Sequence, residues 1–172
     1  MVGLRSCACP AGKRSCTSSV WMSDELAAMR SRINQLSDVP VTIGLSTGRK
    51  NPVKPELFAG RHEARLANSV DITQFGVNHV TPEPGAMSAL RHWHAAEDEF
   101  VYVLSGRVVL IDDDGEHVMA AGTFAGFPAG CCNAHHLQNK SDSPATFLVI
   151  GSRKPGQETI HYPDDDIGPV RT

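Results

Sequence analysis

The chain has 172 residues, 41% of them hydrophobic, with a formal net charge of −3 and a pI near 6.2. That is material for one packed core rather than two, and with no basic run to hold a phosphate backbone, nucleic acid is not an expected partner. No apolar stretch approaches the roughly 20 residues that cross a bilayer, and five cysteines, an odd total without framework spacing, read as free thiols of a reducing, cytoplasmic compartment.

Residues 1–22 carry Arg5, Lys13 and Arg14 among several serines, and no acid precedes Asp24. They read as a disordered or non-native extension, with Met22 the expected start, because Ser23-Asp24-Glu25-Leu26 has the form of a helix N-cap followed by an acidic first turn. Residues 23–62 then form an N-terminal helix and arm. Leu26, Met29, Ile33 and Leu36 recur at helical spacing. From Val39 to about Arg61, Pro40, Pro52, Pro55, Gly44, Gly48 and Gly60 predict an extended segment with turns rather than regular structure.

Residues 63–172 read as the main domain, all β. Strands are predicted at 73–80, 86–94, 98–104, 107–112, 116–120, 123–127, 135–139 and 145–152, separated by turn-forming sequences such as Ser105-Gly106, Asp113-Asp114-Gly115 and Pro128-Ala129-Gly130. So many short strands at close spacing imply a sandwich or barrel. Phe100-Val101-Tyr102-Val103-Leu104 and Val108-Val109-Leu110-Ile111 are apolar on both faces, which predicts cover on both sides and, on the outer one, the arm or a second subunit of a homodimer.

The chemistry centres on His92-Trp93-His94. Residues two apart on a strand share a face, so both imidazoles point one way and Trp93 the other. Ala95-Ala96-Glu97-Asp98 has the length of a hairpin connection, which would bring Glu99 opposite His94. From Glu99, alternation sends Val101 and Val103 inward as an apolar floor. One further imidazole is available at His135 or His136, of which alternation admits one. Three neutral imidazoles and a carboxylate suit a divalent ion of Fe, Mn, Zn, Ni or Co with positions open to a small-molecule ligand.

These residues resemble the motifs of the cupin superfamily. His92, His94, Glu99 and Gly106 follow the second half of the first motif; Gly85 stands one residue further from the histidines than usual. Gly122, Pro128, Gly130, His135 and Asn139 follow the second motif, with four residues instead of two between Gly130 and the histidine. The three-residue spacing to Asn139 favours His135 over His136. Arg91-His92-Trp93-His94, Glu97-Asp98-Glu99-Phe100 and the ending His161-Tyr162-Pro163-Asp164 also resemble small bacterial single-domain cupins of the sugar-phosphate-isomerase-like kind.

The resemblance implies a double-stranded β-helix, the cupin jelly roll, with metal ligands His92, His94, Glu99 and His135 and Glu99 as the catalytic candidate should it leave the metal. It implies a metal-dependent isomerase, lyase or dioxygenase acting on a sugar or organic acid, or else a non-catalytic metabolite-binding or sensor protein with a structural metal. Arg91 and Glu97 flank the site, but by strand parity with His92 and Glu99 they need not point into it, and no Lys/Arg cluster stands near the motif residues to favour phosphate. Asp112 to Asp114 read as a solvated turn, Tyr102 as packing, and Cys131 and Cys132 as small buried packing residues.

Overall fold

Alternating burial organises the barrel. In the computed structural model, which describes residues 33–44 and 55–172, Val101 and Val103 are completely buried while Phe100, Tyr102 and Leu104 between and after them stand 37–44% exposed. They belong to β5 (Glu99–Ser105), which pairs on one side with β8 (Phe124–Phe127) and on the other with β10 (Thr146–Ser152). The sheet continues through β3 (Phe75–Pro82), β2 (Arg61–Arg65) and β1 (Val41–Ile43), in the order β1-β2-β3-β10-β5-β8.

A second sheet, of order β7-β6-β9, joins β6 (Arg107–Asp112), β7 (Gly115–Ala120) and β9 (His136–Gln138). One hydrophobic cluster draws Val80, Val101, Val103 and Phe147 from the first sheet and Val108, Leu110, Met119 and Leu137 from the second. The two sheets are therefore packed face to face, each fully buried aliphatic or aromatic side chain contributing about 1.5–3 kcal/mol. A third sheet, of order β12-β11-β4, contains β4 (Trp93–His94), β11 (Thr159–His161) and β12 (Val170–Arg171).

The connections follow the turn chemistry. Gly106, between β5 and β6, has φ +70°, and a Cβ there would come within 2.9 Å of the Ala145 backbone. Only glycine meets both demands without strain. Asp113 and Asp114 form the turn between β6 and β7, as expected.

The predicted strands between 98 and 152 all appear, with ends displaced by a residue or two. The predicted strand 86–94 is mostly irregular: only Trp93 and His94 are regular strand, with isolated bridges at Met87 and His92. The helix expected from Asp24 falls largely outside the described residues; at its end, Leu36–Asp38 is a single 3-10 turn. The segment expected to lack regular structure supplies β1 and the beginning of β2, because its prolines and glycines leave Val41–Ile43 and the stretch from Arg61 free to pair. The expected extension 1–22 lies outside the described residues. No described helix is long and apolar enough to cross a membrane.

Candidate metal centre

His92 and His135 are cross-strand partners. Their backbones exchange both hydrogen bonds, His92 N to His135 O at 3.0 Å and His135 N to His92 O at 2.8 Å. Such a pair places its side chains together on one face, and the rings stand 5.2 Å apart between centroids, with His94 at 5.0 Å from His92.

Glu99 closes the group by a route other than the expected hairpin. β4 pairs with β11, while β5 pairs with β8 and β10, so His94 and Glu99 lie in different sheets and the loop 95–98 crosses between them. They still meet: His94 Nε2 is 3.5 Å from one Glu99 oxygen, and His135 Nε2 is 3.2 Å from the other. Phe127, opposite Glu99 on β8, stacks on the His135 ring at 3.5 Å and fixes its plane.

The far sides of the His92 and His94 rings differ. His92 Nδ1 is 2.7 Å from the Leu90 carbonyl; as donor to that oxygen, it leaves the Nε2 lone pair free. His94 Nδ1 lies 3.5 Å from Glu158, a carboxylate with no solvent exposure whose two oxygens accept from the amides of Ala95 and Ala96. Glu97 is also near His94 and Glu158, but its Oε1 accepts from the Lys154 amide at 2.6 Å. The acids behind His94 are thus occupied in holding the loop.

The electrostatics fit a cation. Burial alone would raise Glu99, yet its hydrogen bonds to His135 and His94 hold it well below the usual carboxylate range. Burial pushes His92 down to about 4, against the pull of Glu99, so this imidazole is neutral at physiological pH. Burial also works against a charged His94, but Glu99 and Glu158 outweigh it and raise its pKa. An ionised carboxylate among buried imidazoles, with one oxygen of Glu99 and one nitrogen each of His92 and His135 within 4.8 Å of one another, suits a divalent ion in both charge and donor chemistry.

His136, the other fourth-ligand candidate, also borders the cavity, but Glu99 contacts His135. Arg91 turns outward to Asp113 and Asp164. Cys131 and Cys132 are exposed, contrary to the buried packing expected, because the longer loop after Gly130 carries them to the surface.

The cavity in front of the histidines measures about 200 Å³. Sequence reading missed much of its wall, including Arg61, Glu63, Arg65, Asn78 and Ser88. The signal lay in Arg61-His62-Glu63-Ala64-Arg65, whose charges alternate at strand period, a pattern ordinarily read as a solvated face. Glu158 gave none, standing beside Gly156 and Gln157 in what reads as a surface turn.

A jelly-roll barrel with a histidine-rich cavity between its sheets defines a class, and comparison with known proteins agrees. The cupin domain model matches residues 78–151. A sugar phosphate isomerase of the cupin superfamily from Silicibacter pomeroyi is 43% identical over 80% of this chain and 90% of its own, with a TM-score of 0.71. The protein belongs to the cupin superfamily. A protein from Acidithiobacillus ferrooxidans, provisionally called a sugar phosphate isomerase, is 35% identical over 60% of this chain and 65% of its own, with a TM-score of 0.58. The polyketide cyclase from Streptomyces resistomycificus shares the fold at 22% identity, covering 73% of this chain and 81% of its own, with a TM-score of 0.56. Among curated proteins none matches the sequence.

Proposed function

We propose that the protein is a metal-dependent cupin enzyme acting on a small oxygen-rich metabolite, a sugar or organic acid, with a divalent ion of Fe, Mn, Zn, Ni or Co held by His92, His94, Glu99 and His135. The observation that carries the reading is the meeting of His94 Nε2 and His135 Nε2 at the two oxygens of Glu99 beside the buried, neutral His92. When bound, such an ion supplies Lewis-acid chemistry or, if redox-active, oxygen-dependent chemistry. The chain's own part is to shape the pocket: Val80, Leu137 and Val149 give it an apolar wall, and its volume lies below the roughly 300–1,000 Å³ of drug-sized sites. Glu99 is the group placed to move a proton if it leaves the ion.

The name of the Silicibacter relative makes isomerisation of a sugar phosphate the first reaction to assay, followed by decarboxylation and oxygen consumption with organic acids. A second reading, a non-catalytic metabolite-binding or sensor protein with a structural metal, is favoured by one observation. Glu63, the other carboxylate of the cavity, has both oxygens engaged by arginines and is no free base. Turnover by the metal-loaded protein, abolished by Glu99→Gln, supports the enzyme. Thermal stabilisation by a metabolite without turnover supports the binder.

We also propose a homodimer built on the outer face of β5 and β8. Phe100, Tyr102, Leu104 and Phe124 are exposed there in the single chain, with Phe100 and Phe124 stacked at 5.6 Å. The compartment we propose is the cytoplasm.

A further inference from the structure

We infer that Arg61 and Arg65 form a subsite for an oxyanion, a carboxylate or phosphate, at the end of the ligand remote from the histidines. The inference deepens the function proposed above and rests on it for the placement of the other end.

Arg61, Glu63 and Arg65 occupy alternate positions of β2, so all three side chains share the face that borders the cavity. Glu63 is pinned between the arginines, with Arg61 Nη2 at 3.0 Å from one oxygen and Arg65 Nε at 3.3 Å from the other. A third bond runs from Arg61 Nη1 to the Gly44 carbonyl at 3.2 Å. A guanidinium carries five donors, so both retain unused N–H groups, and Arg61 Nε is buried with no acceptor among the described residues.

One arginine would suffice to neutralise Glu63. The second, Arg65, is half-exposed and leaves β2 with an excess positive charge at the solvent edge of the cavity, where an entering anion can share it. Around the whole cavity, two arginines face two carboxylates, Glu63 and Glu99. Counted with its imidazoles neutral, as metal ligands must be, the lining carries no net charge of its own and two positive charges with a divalent ion, the balance that an anionic ligand restores.

The arrangement also suits entry. Arg65 is 45% exposed and Arg61 11%, so the pair runs from the solvent edge inward. From β2 the sheet passes through β3 and β10 to β5, which carries Glu99. Three strand spacings make about 14 Å along the sheet, and less across the cavity it bounds. The arginine side chains and the histidines project into the cavity from its two ends and take up part of that distance, leaving a gap for a metabolite of a few carbons with oxygen donors at one end and an oxyanion at the other. Arginine forks bind such groups by paired, charge-assisted hydrogen bonds.

The test is calorimetric titration of the manganese-loaded protein with two matched pairs, malate against 2-hydroxybutyrate and 3-phosphoglycerate against glycerate. Within each pair the hydroxy-acid end is shared and the remote oxyanion differs. We expect the ligand with the remote oxyanion to bind at least about tenfold tighter. Arg65→Ala should reduce that preference to within about twofold without weakening 2-hydroxybutyrate or glycerate, and Arg65→Lys should restore part of it. The pair with the larger preference identifies carboxylate or phosphate. Equal affinities in the parent, or a preference that survives both Arg65→Ala and Arg61→Lys, would overturn the subsite. Should the protein take up none of Fe, Mn, Zn, Ni or Co, the metal reading fails, and inorganic phosphate titrated into the metal-free protein decides the arginines separately. Saturable binding abolished by Arg65→Ala upholds them; no binding overturns them.

Discussion

His94 Nδ1 and the buried carboxylate of Glu158 stand 3.5 Å apart, and the same carboxylate accepts from the amides of Ala95 and Ala96 that follow His94 in the chain. One side chain therefore anchors the loop leading to Glu99 and sets a negative charge behind the ring. Carboxylates behind ligating histidines typically change metal affinity 10- to 100-fold. We expect Glu158→Gln, which keeps the size and one acceptor oxygen, to weaken metal binding by roughly that factor. Competition against a chromophoric chelator measures it; unchanged affinity would leave Glu158 a loop anchor only.

Glu63 should make stability depend on pH. Burial would raise its pKa, but Arg61 and Arg65 together outweigh that and hold it below the ordinary 4.5. A carboxylate whose folded pKa is depressed contributes stability above the unfolded value and loses it as pH falls through the folded one. We expect Glu63→Gln to destabilise the metal-free protein by about 3 kcal/mol at pH 7, since it leaves Arg61 buried without its partner. The difference should shrink as pH falls below 4.5. Urea denaturation at several pH values reads both effects.

Gly106→Ala combines a left-handed backbone with a Cβ at 2.9 Å from Ala145. We expect a loss above about 1 kcal/mol, visible as a lower denaturation midpoint, with metal stoichiometry retained. Gly85→Ala shares the positive φ, but its Cβ meets no atom within 4 Å, so it should cost less.

The outer face of β5 gives the assembly its test. Sedimentation equilibrium at micromolar concentration should return twice the 18.5 kDa of the chain, and Phe100→Asp should shift the mass towards the monomer. A monomeric parent would contradict the homodimer.

Legibility differed by kind of information. Strands β5 to β10 could be read because alternating apolar residues and turn-forming glycines and aspartates are local signals, and the histidines because two side chains of one strand must share a face. The position of Glu99 was anticipated for the wrong reason: local spacing implied a hairpin, whereas a crossing between sheets brings it to His94, a relation only the whole barrel determines. Arg61 and Arg65 escaped notice because their strand follows a stretch rich in prolines and glycines and its alternating charges have the pattern of a solvated face. Glu158 was invisible for a similar reason, its role being set by a loop some sixty residues earlier.

The most direct test of the metal centre is elemental analysis of the full-length protein, expressed without a histidine tag or added metal, beside His94→Ala, His135→Ala and His136→Ala. The parent should hold about one equivalent of Fe, Mn, Zn, Ni or Co, lost in the His94 and His135 variants and retained in the His136 variant. No metal in the parent, even after reconstitution, would contradict the metal centre.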